Sequence, residues 1–470
     1  IEGCSVTIGG EKNLVLDLGG YTLSGTGTVL NICDNANVSV RNGRIESSDS
    51  LHSWSTAVNV YNNATFTLEA DATVVGAYAV GSVLPSGVTS TTATINIYGT
   101  VEGISDASFL ANGGTCGLGV NGTLKNTVSY PTIHVYSGAK VTGHHGTSGN
   151  VNNDDGPAVY AAGYAHWIFE EGCHVSGDSA LSIKSGIIDI NGGEFVATGT
   201  YYAPATPNGN GTESTGAAIS ITANSSYAQN VEINILDGTF TSQNGHAIYE
   251  AISNDTDTAL VDKGLTITGG TLTAGSDPSA VAVYHVNGNV TIADDANLIG
   301  DVSNAGTGNL VVDGATVTGT IGDTVVVNNA TVTGTVPDTA TIVNSSVDGE
   351  VITTEGVVAM VGSTPYYDLS DAITEADSGD TITLVNNVTT DATVTIPGNK
   401  NLTIVGNGNS IVINHNASSG ETQKALSLSS NLTLNDVTLT INGHPGDNGT
   451  HIGDGIEIYD AELAIVNGSK

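Results

Sequence analysis

Three copies of a short phrase, fifteen residues apart, limit the folds open to this chain. The phrases are GATVTGTIGDT from Gly314, NATVTGTVPDT from Asn329 and NSSVDGEVITT from Asn344. In each, a valine two positions before a glycine alternates with polar neighbours, the period-two pattern of a strand with one buried face. A strand repeated at a short, regular interval indicates an architecture in which successive units stack on one another.

Related phrases recur along most of the chain. The same unit ends at Gly76, Gly103, Gly143, Gly177 and Gly300. A second phrase is GPAVY, DSALSI, GAAISI, GHAIYE and PSAVAVY, and a third is NGRI, GGEF, DGTF and GGTL. Three strand types separated by Gly, Asn and Asp turns predict the three faces of an all-β solenoid, whose strands stack about 4.8 Å apart.

The repeat also predicts which side chains face inward. We expect one inward column formed by the residues two before each glycine, namely Val74, Val101, Val141, Val175, Leu298, Val317, Val332 and Val347. A second column should contain Ile321, Val336 and Val351. The narrowest coils are predicted at about 309–353, where no insertions interrupt the fifteen-residue rhythm.

Composition agrees with stacked strands and excludes several partners. Charged residues make up 12% of the chain, and 47 acidic residues against 10 basic ones give a formal net charge of -37. Nucleic acids and anionic membranes need a basic surface, so neither is expected as a partner. No apolar run approaches the ~18 residues of a membrane span, so no membrane insertion is expected.

The four cysteines leave two readings open. No pair has CxxC spacing, which argues against zinc binding or thioredoxin-like chemistry. Cys4 and Cys33 are separated by about one coil, so they could form a disulfide between neighbouring coils or remain buried thiols.

A second domain is predicted after residue 353. Leu369, Ala372 and Ile373 have helical spacing, and Gly379 follows, which predicts one short capping helix near 366–378. VTIPGNKNL from Val394 then repeats VTIGGEKNL from Val6. We therefore predict a β-helix over 1–353, a linker or terminal coil over 354–365, and a second, incomplete β-helical domain over 366–470. The open ends are expected either to continue in further sequence or to stack on other copies of the chain.

The stretch YYDLSDAITEADSGDTITLVNNVTTDATVTIPGNKNLTIVGNG resembles the entry to pectate-lyase-like right-handed parallel β-helix domains. Such domains occur in repetitive, adhesin-like surface proteins of bacteria and archaea. The start, VTIGGEKNLVLDLGGYTLSG, resembles another copy of the same block. The resemblance implies a right-handed β-helix and an extracellular location at the cell surface, and its motifs are structural.

The sequence supports no catalytic residue and no cofactor other than calcium. Arg41 and Arg44 have no accompanying acidic cluster of the kind used by pectate lyases, and the GHHG and NNDDG stretches occur in the reverse of the polygalacturonase order. Asp154 and Asp155, within NNDDG, could bind calcium through hard oxygen ligands. The alternative is a polar loop on the solenoid.

Aromatic residues in apparent loop insertions are the candidates for ligand or partner contact, because exposed rings can stack on sugars or anchor a protein. These are Trp54, Trp167, Tyr201 and Tyr202. We expect an extracellular structural or adhesive protein, a scaffold or filament subunit without catalytic activity, whose partners are other subunits or a surface glycan or protein. The alternative is a carbohydrate-active enzyme, such as a polysaccharide lyase or a tailspike-like depolymerase.

Overall fold

The chain is an all-β protein built from parallel sheets, as the sequence predicts. The computed structural model describes all residues except 1–2, 4, 49–55, 86–89, 123, 125, 150–153, 201–215, 224–230, 253–259, 338–339, 344, 353–356, 363, 416–423 and 444–453. It forms two compact units, one with residues 1–325 and 330–336 and one with residues 326–329 and 337–470. The domain boundaries predicted at 353 and 366 stay predictions.

Three parallel sheets form the first unit. The first sheet contains Val6–Ile8, Leu30–Ile32, Thr56–Val60, Tyr78–Ser82, Cys116–Val120, Val159–Ala161, Leu181–Ile183, Ile219–Ala223, Ile248–Ile252, Val283–His285 and Val302–Asn304. The second sheet contains Asn13–Asp17, Asn37–Arg41, Thr65–Leu68, Thr94–Ile97, Thr132–Val135, His166–Phe169, Gly186–Ile190, Val231–Ile235, Leu260–Ile267, Gly288–Ala293 and Asn309–Asp313. The third sheet contains Thr22–Gly25, Gly43–Ser47, Ala72–Gly76, Thr100–Gly103, Lys140–Thr142, His174–Gly177, Glu194–Ala197, Thr239–Ser242, Thr271–Thr273, Asn297–Ile299, Thr316–Thr318 and Thr331–Val332.

Each coil contributes one strand to each sheet, so neighbours in a sheet come from successive coils. Val74 pairs with Val101, Val101 with Val141, and Val141 with Val175. The column continues through Phe195, Phe240 and Leu272 to Leu298, Val317 and Val332. None of these side chains is more than 1% exposed, which confirms the inward column up to Val332.

The third copy of the opening phrase is followed by a reversal of the chain. Ser345–Val347 pairs antiparallel with Glu350–Ile352. Val347 is half-buried, so it is less enclosed than the earlier valines of the inward column. In the second predicted column Ile321 is buried and Val336 is half-buried, whereas the side chain of Val351 lies outside the described part.

The assignment of phrases to faces also needs correction. NGRI, GGEF, DGTF and GGTL lie in the third sheet, together with the valine–glycine phrases, because both types precede the same corner of the coil. The second phrase, including GPAVY and DSALSI, forms the first sheet. Strands that belong to none of these phrase groups form the second sheet.

The second unit combines a short ladder with a smaller set of stacked strands. Val326–Asn328 pairs parallel with Thr341–Val343. A six-stranded sheet contains Thr364–Tyr366, Ala359–Val361, Thr381–Leu384, Leu402–Val405, Leu432–Asn435 and Leu463–Val466. Two three-stranded parallel sheets contain Val388–Thr390, Ser410–His415 and Thr438–Gly443, and Val394–Ile396, Lys424–Leu428 and Asp454–Ile458.

Two helices occur in the described part of the chain, α1 (Ala107–Leu110) and α2 (Leu369–Glu375). The predicted helix is confirmed as α2, which buries Leu369, Ala372 and Ile373 in the core of the second unit. The short α1 was not predicted. Neither helix is long and apolar enough to cross a lipid bilayer.

Candidate functional site

Of the four aromatic residues predicted to contact a partner, only Trp167 lies in the described part of the chain. Trp54, Tyr201 and Tyr202 lie outside the described residues. The expectation of an exposed ring at Trp167 is wrong, because its side chain is 1% exposed. In the strand His166–Phe169 the alternate residues face inward, and Trp167 pairs with Ile133 and Ile188 of the neighbouring coils. Its ring therefore fills the core and offers no face to a sugar.

The predicted calcium ligand Asp154 binds its own loop. Its Oδ1 accepts hydrogen bonds from Ser148 N at 2.9 Å and Ser148 Oγ at 2.6 Å, and its Oδ2 accepts one from Gly149 N at 2.8 Å. Burial would raise the pKa of Asp154, but these hydrogen bonds and the nearby His145 hold it below its usual range. The carboxylate thus closes the polar loop, and a calcium role for Asp154 and Asp155 stays a prediction.

The other residues weighed for catalysis are engaged in local pairs. Arg41 Nε lies 3.0 Å from Asp17 Oδ2, and Arg44 Nε lies 2.7 Å from Glu46 Oε2, on exposed strand ends. His145 Nδ1 contacts the buried Asp178 carboxylate at 2.6 Å. The two arginines thus form solvent-facing pairs, and His145 anchors its loop to Asp178.

A denser group of functional side chains lies on the outer face of the second sheet. Strands of this sheet alternate inward apolar residues with outward polar ones, so consecutive coils place outward side chains side by side. We call this group the second-sheet surface, and it comprises Tyr98, His134, Tyr136, His166, Glu170, Asp189, Asn191 and Asn234. All eight belong to the first unit.

Three of its rings are stacked. The Tyr98 and Tyr136 rings have centroids 4.0 Å apart, and the His134 and Tyr136 rings have centroids 3.7 Å apart. Burial raises the pKa of Tyr136 to about 12, with a further contribution from Tyr98. Tyr136 therefore stays protonated to a higher pH than an ordinary tyrosine does.

Two carboxylates of the second-sheet surface are held by histidines and amides. His134 Nε2 lies 2.6 Å from Glu170 Oε1, and Asn191 Nδ2 donates to Glu170 Oε2 at 3.1 Å. The bond from His134, supported by Asn191, lowers the pKa of Glu170 against the opposing effect of burial. One coil further, Asp189 contacts His166 Nε2 at 2.6 Å and accepts from Asn234 Nδ2 at 2.8 Å.

The chemistry of this surface is that of a hydrogen-bonding platform. Glu170 is ionised at neutral pH, so it accepts hydrogen bonds and does not supply a proton as a general acid would. Stacked rings beside fixed carboxylates and amides suit hydroxylated ligands, whose ring faces are apolar and whose edges are polar. Within the described residues, no group of three or more His, Cys, Asp or Glu side chains is arranged to hold a metal ion.

Another ionisable pair lies inside the first unit. Glu250 Oε2 is 2.7 Å from His285 Nδ1, and neither side chain is more than 1% exposed. The backbone N–H groups of Val286 and Asn287 also donate to Glu250 Oε2. Solvent does not reach this pair, which joins strands of adjacent coils.

Three of the four cysteines lie in the described part of the chain. Cys33, Cys116 and Cys173 are buried, none is bonded to another described cysteine, and burial raises the pKa of Cys173 to about 12. Cys4 lies outside the described residues, so the Cys4–Cys33 disulfide stays an untested alternative.

Sequence reasoning missed the second-sheet surface, although a signal for it was present. TINIYGT from Thr94 and TIHVYSG from Thr132 place Tyr98 and Tyr136 at equivalent positions, directly after the strand. Aligning HWIFE from His166 with them would have placed Glu170 in the same column.

No protein-family model, curated protein or solved structure matches this chain.

Proposed function

We propose that the protein is an extracellular β-helical protein of the cell surface whose role is structural or adhesive. It would belong with the adhesin-like, pectate-lyase-like β-helix proteins that its sequence resembles. The observation that carries the adhesive part is the second-sheet surface, where stacked rings and preoriented carboxylates face outward over consecutive coils. The proposed ligand is a surface glycan.

Charge supports this choice of ligand. The formal net charge of -37 disfavours anionic polymers, and a glycan needs no opposite charge to bind. Glu170 and Asp189 are already fixed by His134 and His166, so a ligand would not have to order them, which reduces the entropic cost of binding.

The experiment is a glycan array probed with the wild-type protein and two variants. Tyr136→Ala removes the middle ring of the stack and should weaken binding by about tenfold or more, since aromatic anchors carry much of the energy of such contacts. Tyr367→Ala, which truncates an exposed ring of the second unit, is the matched control and should bind as the wild type does. Equal binding by all three proteins would contradict the proposal that this surface binds the glycan.

A carbohydrate-active enzyme is the second candidate, because acids and histidines project from one face over consecutive coils. Hydrolysis of a glycosidic bond commonly uses a pair of carboxyl groups. If this surface were catalytic, Glu170→Gln would abolish the release of reducing ends from the cognate polysaccharide. If the surface is only adhesive, neither the wild type nor Glu170→Gln releases reducing ends.

A further inference from the structure

A small hollow opens on the outer face of the first sheet, away from the second-sheet surface. Its lining includes Thr56, Tyr78, Val83, Gly119 and Tyr160, and it is mostly apolar. It has room for about one water molecule or one methyl group.

Gly119 forms the floor of this hollow, and the fold does not require a glycine there. Its φ is not in the left-handed region, and a Cβ added to it would meet Tyr78 Cδ1 at 3.5 Å, an ordinary contact. By contrast, a Cβ on its neighbour Gly81 would lie 2.2 Å from the carbonyl oxygen of Gly119. Glycine is disfavoured within strands unless another group approaches closely, so Gly119 is better explained by a ligand.

Thr56 gives a second, independent sign of a ligand. Its side chain is 2% exposed, and its Oγ1 has no hydrogen-bond partner among the described residues. Buried hydroxyl groups are nearly always paired, because leaving one unpaired costs free energy. The oxygen has almost no accessible surface in the described side-chain position, so a ligand donor or acceptor would remove this cost once the Thr56 side chain turned toward the hollow.

The walls of the hollow are rigid before any ligand binds. Asn59 accepts a hydrogen bond from Val83 N at 2.8 Å and donates one to Val83 O at 3.0 Å. Lys184 Nζ donates to the Tyr160 hydroxyl at 3.2 Å and lies 4.9 Å from the ring centroid. A site that is ordered in advance loses little entropy on binding.

We propose that this hollow receives the acetyl methyl group of an uncharged N-acetylated sugar. The methyl group matches its size and apolar lining, the adjacent amide pairs with the Thr56 hydroxyl once that side chain turns toward the hollow, and the half-exposed Tyr78 ring supports the face of the sugar ring. The lining residues carry no formal charge, and the acidic chain repels sugars that bear carboxylates.

An alanine methyl group of a peptide has the same size but fits less well. Bound peptides usually pair their backbone with an open strand edge. The strand that carries Gly119 is already paired on both sides, with Tyr78–Ser82 and with Val159–Ala161. A sugar does not need a free edge.

The test is titration of the full chain with N-acetylglucosamine, glucose and N-acetylalanine methylamide, followed by calorimetry and by saturation transfer from protein to ligand protons. N-acetylglucosamine should bind at least about tenfold more tightly than the other two, the range expected when one methyl group fills an apolar site. Its acetyl methyl protons should receive the strongest saturation. Equal binding of glucose or of the peptide, or no binding because the hollow holds water only, would overturn the proposal.

Two variants place the binding in the hollow. Gly119→Ala fills the floor, and Thr56→Val removes the hydroxyl while keeping the side-chain shape, so each should weaken N-acetylglucosamine binding by about tenfold or more. Ser303→Ala, on the same outward column but several coils away, is the control and should bind normally. Unchanged binding of N-acetylglucosamine in Gly119→Ala would overturn the proposal. The Tyr136→Ala variant, which alters the second-sheet surface, should bind N-acetylglucosamine as the wild type does.

Discussion

At the scale of single residues, Trp167 shows how alternation along a strand decides the role of a side chain. It lies between Ile133 and Ile188 in an inward column, 1% exposed, and its Nε1 has no hydrogen-bond partner among the described residues. Its contribution is therefore the apolar area and volume that it buries, and not recognition of a ligand.

Replacement of Trp167 tests this role. Trp167→Ala should destabilise the first unit by about 3–5 kcal/mol, because it leaves a large cavity in a closely packed core. Trp167→Phe should cost much less, since it keeps an aromatic ring and removes the unpaired N–H group. Urea unfolding measures both, and an Ala variant as stable as the wild type would show that the ring is not in the core.

His246 should make stability depend on pH. Its ring is 1% exposed and stacks on Tyr249 and Tyr284, and burial lowers its pKa from the ordinary 6.5 to about 4. The unfolded chain takes up this proton near pH 6.5 and the folded chain only near pH 4. The neutral His246 ring therefore contributes to the free energy of unfolding above pH 6.5. This contribution, on the order of 3 kcal/mol, is lost as the pH falls to 4.

The His246→Asn variant isolates that contribution. Asn can still accept the hydrogen bond that Val281 N donates to the histidine ring at 3.0 Å, but it does not titrate. The stability difference between wild type and variant, measured by urea unfolding, should shrink as the pH falls from 6.5 to 4. A difference that is constant over this range would contradict the prediction.

At the scale of elements, the strands and α2 could be predicted from local patterns, whereas the second-sheet surface could not. Val317 and Val332 share a phrase and a register, and Leu369, Ala372 and Ile373 share a helical spacing, so short-range periodicity was enough. Glu170 and His134 meet only because coils of unequal length are stacked in one register. That register depends on pairing between coils, which no single stretch of sequence encodes.

The same reasoning explains the errors. The reversal after Ser345–Val347 was not predicted, because the third copy has nearly the same pattern as the two before it and carries no separate signal for an antiparallel partner. Trp167 was predicted to lie in an insertion because of its aromatic neighbours, whereas its strand pairs in register with the strands of the coils before and after it.

The cap of α2 gives a prediction for the second unit. Asp368 has extended backbone dihedrals and its Oδ1 accepts a hydrogen bond from Ser370 N at 2.7 Å, which satisfies one free N–H group of the helix. Asp368→Ala should lower the free energy of unfolding of this unit by about 1 kcal/mol. Asp391→Ala, an exposed acid outside the helix, is the control, and equal effects of the two would show that the cap contributes nothing.

Two glycines on neighbouring strands should respond differently to alanine. Gly81→Ala would place Cβ 2.2 Å from Gly119 O and should destabilise the first unit by roughly 1–3 kcal/mol, because backbone must move. In Gly119→Ala the new Cβ would lie 3.5 Å from its nearest atom, Tyr78 Cδ1, so the change in the free energy of unfolding should be neutral or slightly stabilising. Thermal unfolding compares them, and equal losses would mean that the packing over Gly119 is tighter than described.

At the scale of the whole molecule, stacking of parallel strands explains the composition. Outward positions on successive coils lie about 4.8 Å apart, so like charges in one column would repel each other and hydroxyl and amide side chains are favoured. The 12% of charged residues is consequently low, and the acidic excess gives the net charge of -37. This charge is the reason why the proposed ligand is a neutral polymer.

The central claim is that the second-sheet surface binds a glycan without cleaving it. The most direct measurement is mass spectrometry of the oligosaccharide that binds most tightly on the array, recovered after prolonged incubation with the protein at neutral pH. We predict that it is recovered intact, and that the Tyr136→Ala variant retains much less of it. Recovery of shortened oligosaccharides with the wild type, absent with Glu170→Gln, would contradict the claim and establish the enzyme instead.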